Sequence, residues 1–195
     1  MTAVAALESG QAPTRQGPDA LTVAAYIGGG ALLIASLALL AGFYNLRDVA
    51  TSWPPKGVDF DAYLSVMLSI TLLLSGGVVA WGANAATAGN RRQALASLAI
   101  TGGLGLSFLN LAWYTGSHAG FGPSSHAFGA IVIAGLVLGS VAVAVGLGFL
   151  AVAMLRTQFR AGEAHFVAAA ARFWFLVIAA WMVSPVALYG LMSAK

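Results

Sequence analysis

Residues 127–154 read AFGAIVIAGLVLGSVAVAVGLGFLAVAM, a run without a charged side chain or a proline. A helix needs about 20 mostly apolar residues to cross the hydrocarbon core of a bilayer, and this run is long enough. It shows no strict alternation of polar and apolar residues, which excludes a strand of a membrane barrel. Because lipid cannot hydrogen-bond the backbone, the run predicts a transmembrane α-helix.

Four further runs of this kind lie elsewhere in the chain. Hydrophobic residues make up 59% of the 195 residues and charged residues 8%, and the mean hydropathy is +0.87. A soluble domain carries about 25% charged residues, so the composition excludes a soluble enzyme, a nucleic-acid-binding domain and a disordered protein. We predict an all-α membrane protein with five transmembrane helices. The predicted spans are 24–44, 63–83, 95–113, 127–154 and 166–192.

The ends of the predicted bundle differ in charge. Residues 1–20 are small and polar and predict a disordered N-terminal tail ahead of a transmembrane domain at 21–195. Five basic residues fall at the end where the first helix starts, and three fall at the other end. Since Lys and Arg favour the cytoplasmic face, we expect a cytoplasmic N-terminus and an outside C-terminus. The five are Arg15, Arg91, Arg92, Arg156 and Arg160, and the three are Arg47, Lys56 and Lys195.

The histidines offer little support for a metal site. The chain has no cysteine, which excludes disulfides and thiolate ligands. His126 and His165 stand at opposite ends of the fourth predicted helix, so they cannot ligate one iron. A haem b site in this chain would need His118 together with His126 at the outer rim. A membrane anchor that carries haem b therefore stays open as an alternative function, although helix-end hydrogen bonding explains both residues more simply.

Polar residues inside the spans are the other candidates for function. Arg172 lies about two turns into the fifth span, where it can snorkel to the interface, contact a partner subunit or serve as a functional charge. Asn110 and the serines, among them Ser36, Ser69 and Ser75, are typical of contacts between helices. No Asp, Glu or Lys lies inside a predicted span, which argues against an ion-driven transporter.

Glycine is abundant, at 24 residues. Gly135 and Gly139 form a GxxxG pattern in the fourth span, and Gly146 continues the small-residue spacing. Such residues let helix backbones approach closely, either against a partner subunit or within this bundle. We favour packing within the bundle. No nucleophile with a base, pair of carboxylates or phosphate loop is present, so we predict no catalytic residue.

Several short motifs, in order along the chain, resemble those of cytochrome c oxidase subunit III in its short, five-helix bacterial form. Residues 40–48 (LAGFYNLRD) resemble the end of that family's first short-form helix, and residues 53–55 (WPP) resemble the loop that follows. His126 with Gly129 resembles the start of the next-to-last helix. Residues 165–167 (HFV) resemble the start of the last one.

Two departures from the family pattern concern acidic residues. The buried Glu of the family's first short-form helix falls near Ser36 in this sequence. The acid of the family's HFVD motif is replaced by Ala168. Any role of the family that depends on those two acids is therefore not carried over to this chain.

The resemblance implies a non-catalytic accessory subunit of a respiratory haem–copper terminal oxidase of the cytochrome c or quinol type. That enzyme reduces oxygen and couples the reaction to proton translocation. Subunit III binds no haem or copper, packs beside the catalytic subunit I, helps to stabilise the active site and holds phospholipid. The resemblance thus implies haem and copper in partner subunits and a multi-pass position in a bacterial plasma membrane. We expect lipid or partner contacts at His126, His165, Arg172 and Ser36. A subunit of a nitric oxide reductase-type complex is the nearest alternative.

Overall fold

The computed structural model describes residues 20–53, 55, 62–159 and 164–192. They form five long helices, and each is long and apolar enough to cross a membrane. The prediction of an all-α membrane fold with five spans is thereby confirmed. The predicted tail up to residue 19, together with Lys56, Arg160 and Lys195, lies outside the described residues. The helices are α1 Ala20–Val49, α2 Ala62–Thr87, α3 Arg91–Ser117, α4 Ala127–Phe159 and α5 Ala164–Met192.

Most helices extend several residues beyond the spans predicted from hydropathy, because polar groups at the ends continue the hydrogen-bonding pattern. The α3 helix begins at Arg91 instead of residue 95, since the Asn90 side chain accepts a hydrogen bond from the backbone N–H of Gln93 at 3.3 Å. The Arg91 guanidinium donates to the carbonyl of Gln158 and so satisfies an acceptor near the end of α4. Hydropathy marks the part of a helix that lies in hydrocarbon, while capping decides where the helix stops.

The α5 helix occupies the centre of the bundle. It packs against α1, α2 and α4, whereas α1 also packs on α4, and α3 packs on both α2 and α4. Of the five helices, α5 has the largest buried share. Since α1 and α2 make no extensive contact with each other, α5 lies between them and closes the ring formed by the other four.

Two tryptophans of α5 lie against glycines of α4, and these contacts account for the close approach of the two helices. A Cβ atom added at Gly139 would lie 2.5 Å from Cε3 of Trp181, and one added at Gly146 would lie 2.8 Å from Cε3 of Trp174. Real side-chain atoms do not approach so closely, so only glycine leaves room for these rings. The interpretation of Gly139 and Gly146 as packing residues within the bundle agrees with this arrangement.

The outer faces of the helices are strongly apolar. Large exposed hydrophobic residues occur along α1 to α4, and Phe175 is exposed on α5, as expected for a surface in contact with lipid or with other membrane subunits. Examples are Ile34 at 70% exposure, Leu106 at 62%, Trp113 at 79% and Val137 at 56%.

Candidate functional site

A hydrogen bond between buried side chains joins α5 to α2 at the centre of the bundle. Nε1 of Trp174 donates to Oγ of Ser75 at 2.8 Å, and both residues are fully buried. The Ser75 hydroxyl in turn donates to the carbonyl of Leu72 at 2.6 Å. The indole N–H, which would be costly to leave unpaired in hydrocarbon, is thereby satisfied.

A second hydrogen bond between α5 and α2 lies about two helical turns further along α5. Nε1 of Trp181 donates to Oγ of Ser69 at 3.1 Å, and that hydroxyl donates to the carbonyl of Ser65 at 2.9 Å. The ring of Trp181 also makes an edge-to-face contact with Phe108 of α3, with 4.9 Å between centroids. The prediction that Ser69 and Ser75 connect helices agrees with these contacts. These interior groups are neutral, and their hydrogen bonds are already made, so they provide structure instead of acid–base chemistry.

The contact between α2 and α3 contains two further hydroxyl groups. Oγ of Ser97 donates to the carbonyl of Val78 at 2.5 Å, and the Ser97 side chain lies against Gly82, where an added Cβ would clash with it. Thr101, one turn further along α3, is fully buried, and its Oγ1 has no hydrogen-bond partner among the described residues. A hydroxyl in this position can turn to bond the carbonyl four residues earlier in its own helix, which is the usual solution for Thr in apolar surroundings.

Ser36 lies in the interior, where α1 meets α4 and α5. It is 4% exposed and lines a small cavity together with Gly139 and Trp181, among other residues. The cavity volume is about 10 Å³, which is the space for about one water molecule. The structure therefore places Ser36 away from the outer surface of the bundle.

His126 caps the start of α4. Its Nδ1 accepts a hydrogen bond from the backbone N–H of Gly129 at 2.8 Å, and its carbonyl accepts one from Ala130 at 3.0 Å. The ring lies 5.3 Å from that of Phe121 in the preceding loop and 6.2 Å from that of Phe128. One ring nitrogen of His126 is thus committed to the helix end.

His165 stands at the opposite end of the bundle, in the first turn of α5. Its side chain is exposed, and its ring lies 4.4 Å from that of Phe166. The guanidinium of Arg156, near the end of α4, lies over the ring of Phe166 at 5.0 Å, a cation–π contact. His165 therefore lies at the basic end of the bundle. We define this end by Arg91, Arg92 and Arg156 and call it the arginine-rich end.

The three histidines lie in different local settings. His118 follows the last turn of α3, and its Nδ1 lies 3.0 Å from the carbonyl of Tyr114, on whose ring it stacks. His126 uses its Nδ1 as a helix cap, and His165 is separated from it by α4, about 50 Å in length. Within the described ranges, no three His, Asp or Glu residues are grouped as metal ligands.

Two polar residues predicted inside the spans are exposed. Asn110 of α3 lies on the outer surface of the bundle. Arg172 of α5 is also exposed, and its Nη1 donates to Oγ1 of Thr22 in α1 at 3.2 Å. Of the four residues expected to contact lipid or a partner, the structure brings no two together.

Trp174 and Trp181 were not singled out from the sequence, although a signal was present. They are seven residues apart on α5, as are Gly139 and Gly146 on α4. Equal spacing of large and small residues on neighbouring antiparallel helices predicts that each ring meets a glycine.

Comparisons with known proteins agree on one family. The family model described as "Cytochrome c oxidase subunit III" matches residues 32–192. The cytochrome c oxidase subunit 3 of Cyanidium caldarium is 36% identical over 147 residues, which cover 73% of this chain and 54% of that protein. Those of Branchiostoma lanceolatum and Cyprinus carpio are 33% and 34% identical, each over 73% of this chain and 56% of the relative. The chain thus spans about half the length of the curated relatives it matches.

Proposed function

The chain belongs to the cytochrome c oxidase subunit III family, and from this premise we propose that it is a non-catalytic accessory subunit of a respiratory haem–copper terminal oxidase. It stabilises the catalytic subunit I and holds phospholipid beside it. The family match over residues 32–192 is the observation that carries this proposal. Haem and copper belong to the partner subunits, where the reduction of oxygen takes place.

The side chains of the described residues support an assisting role. The interior hydroxyl and indole groups are used in bonds between helices, such as the one between Trp174 and Ser75. Large apolar residues cover the outside, which provides broad surfaces for lipid and for a membrane partner. Nδ1 of His126 accepts from the N–H of Gly129, so the proton of the neutral ring is on Nε2, which then has no lone pair for iron, and the haem b anchor is not favoured.

Purification from native membranes tests the assembly. The chain carries an affinity tag and is isolated in a mild detergent, and we expect haem absorbance and a larger catalytic subunit to co-elute in fixed ratio with it. An unrelated multi-pass protein with the same tag controls for oxidase that is carried over with the membrane. Elution of the chain without any haem-bearing partner would contradict the proposal.

Deletion of the chain tests its role within the complex. If the subunit stabilises a neighbour and performs no chemistry, membranes without it should retain most of the initial rate of oxygen consumption. Their activity should then decline faster during continuous turnover. An initial rate close to zero, with the catalytic subunit present in normal amount, would show that this chain takes part in the reaction.

We further propose that the arginine-rich end faces the cytoplasm of a bacterial cell and that the chain lies in its plasma membrane. Arg91, Arg92 and Arg156 support this orientation, because positive charge is retained on the cytoplasmic side. The chain has no cysteine, so single cysteines can report on each side. We expect Ser124→Cys, in the exposed loop before α4, to react with an impermeant maleimide in intact cells, and Ala88→Cys to react only after lysis. The reverse pattern would overturn the orientation.

A further inference from the structure

The charge of Arg172 lies in an unusual place for a residue on the outer surface of a membrane bundle. The backbone of Arg172 lies eight residues after Ala164, about 12 Å along α5 from the start of the helix, and so inside the predicted span. A charged side chain at this depth is costly unless it finds water, an anion or the membrane surface.

The side chain lies in a groove between α1 and α2, and the exposed face of α5 forms the floor of this groove. Arg172, Phe175 and Ala179 follow each other at helical spacing, and all three are exposed. On one side Arg172 bonds Thr22 of α1, and on the other a Cβ added at Gly76 of α2 would lie 3.5 Å from the ring of Phe175. Because α1 and α2 make no extensive contact with each other, the groove is open to the surroundings of the bundle. We call it the α1–α2 groove.

The guanidinium is directed toward the arginine-rich end. Its Nη1 donates to Oγ1 of Thr22, which is the third residue of α1. The long side chain thus carries the charge from inside the span toward the end of the bundle at which α1 begins. Only this hydrogen bond is made by Arg172 within the described residues, whereas a guanidinium has five N–H donors.

No carboxylate in the described part of the chain can balance this charge. The described ranges contain one acidic residue, Asp48, which lies at the opposite end of α1 from Thr22. The distance between these two positions is about 39 Å along the helix. The anion that neutralises Arg172 in the membrane therefore comes from outside this set of residues.

We propose that the α1–α2 groove binds one phospholipid of the leaflet at the arginine-rich end, with its phosphate held by Arg172 and Thr22. A guanidinium fits phosphate oxygens with two parallel hydrogen bonds. The Thr22 hydroxyl, which accepts from Arg172, donates to no other described residue and can give its proton to a phosphate oxygen. An acyl chain continues along Phe175 and Ala179, which form the apolar part of the floor.

A phospholipid is favoured over a carboxylate of a partner helix by the direction of the side chain. A carboxylate on a neighbouring helix lies at about the membrane depth of the backbone that carries it. It would therefore pair with the guanidinium beside α5. Arg172 instead reaches along the groove to the first turn of α1, toward the membrane surface at that end of the bundle. This inference gives a site to the lipid-holding part of the proposed function and rests on that function.

Native mass spectrometry of the assembly, purified in mild detergent, tests the site. Three variants are compared with the unaltered protein: Arg172→Gln, Thr22→Val and Arg92→Gln. Arg92 is an exposed arginine at the same end whose side chain makes no hydrogen bond with another described residue, so its variant controls for the change in net charge. We expect Arg172→Gln to carry one phospholipid fewer, Thr22→Val to retain that lipid in part, and Arg92→Gln to match the unaltered protein.

A titration with phosphatidylglycerol, added to delipidated protein, measures the affinity of the site. We expect binding to weaken about tenfold or more in Arg172→Gln, since at least one charge-assisted hydrogen bond to the phosphate is lost, and to be partly restored in Arg172→Lys. Equal lipid retention in Arg172→Gln and Arg92→Gln would overturn the proposal. So would displacement of the lipid by millimolar inorganic phosphate, which would indicate a site for free phosphate.

Loss of a protein subunit from Arg172→Gln with unchanged lipid would also overturn it and would point to a carboxylate on the partner. Haem co-elution is read in the same preparations. If the unaltered chain elutes without haem, the proposed function fails, whereas a lipid difference that persists there still supports the site.

Discussion

Replacing Gly146 by alanine tests whether the tryptophan of α5 really lies against the backbone of α4. The new Cβ would lie 2.8 Å from Cε3 and 2.9 Å from Cζ3 of Trp174. Carbon atoms in contact are ordinarily about 3.5–4.0 Å apart, so the ring or the helix must move by roughly 1 Å. Trp174 has little freedom to move, because it is fully buried and bonded to Ser75. Overpacking of this kind costs about 1–3 kcal/mol.

Gly148→Ala is the matched control, on the same helix. Nothing lies within 4 Å of a Cβ added there. Both substitutions gain the same preference of alanine over glycine in a helix, up to about 1 kcal/mol, so this gain cancels when the two variants are compared. The free energy of unfolding of Gly146→Ala should therefore be about 1–3 kcal/mol lower than that of Gly148→Ala.

The difference can be measured by titrating each variant with sodium dodecyl sulfate in mixed micelles of phospholipid and mild detergent. Circular dichroism and tryptophan fluorescence follow the transition, and the two midpoints give the difference in free energy. A second pair on α3 repeats the test, since a Cβ added at Gly105 would lie 2.8 Å from Cη2 of Trp174, while one added at Gly102 would have nothing within 4 Å. Equal midpoints within both pairs would refute the packing described around Trp174.

Three further predictions concern single hydrogen bonds. A double-mutant cycle of Trp174→Phe and Ser75→Ala should give a coupling energy of about 1 kcal/mol between the two side chains, as found for bonds between membrane helices, and additive effects would show that the bond contributes nothing. His126→Ala should destabilise the first turn of α4 by about 1 kcal/mol, seen as faster hydrogen exchange at the amide of Gly129, while His126→Asn should preserve much of its protection. Arg91→Gln should speed exchange only near the end of α4, and faster exchange throughout the helix would contradict the local role given to this bond.

Much of the fold could be predicted from the sequence because the membrane limits the choices. A run such as residues 127–154 can only be a helix in lipid, so the number of spans followed from the lengths of the apolar runs. Several helix ends could not be predicted as well, because they depend on caps such as Asn90, whose hydrogen bond lies outside the apolar window. The neighbour of each helix was not predicted either. Small residues permit close approach on any face, and the sequence of α4 alone does not say which ring will meet Gly139.

The sites that involve two helices were the least predictable. Arg172 could be identified as a charge within a span, but its bond to Thr22 joins residues 150 positions apart in the chain. Ser36 could be identified as a polar residue in α1, but not as part of the wall of a small internal cavity, because that depends on how α1, α4 and α5 meet. Pairing of this kind depends on tertiary packing, which hydropathy does not report.

The central place of α5 has a consequence for how the protein is made. The ribosome delivers the other four helices to the translocon first, and the surfaces that α5 will cover remain without their partner until it arrives. During this interval Gly139 and Gly146 are open to lipid tails or to a chaperone of the membrane insertion machinery. A nascent chain arrested before α5 should consequently be a good substrate for quality-control proteases.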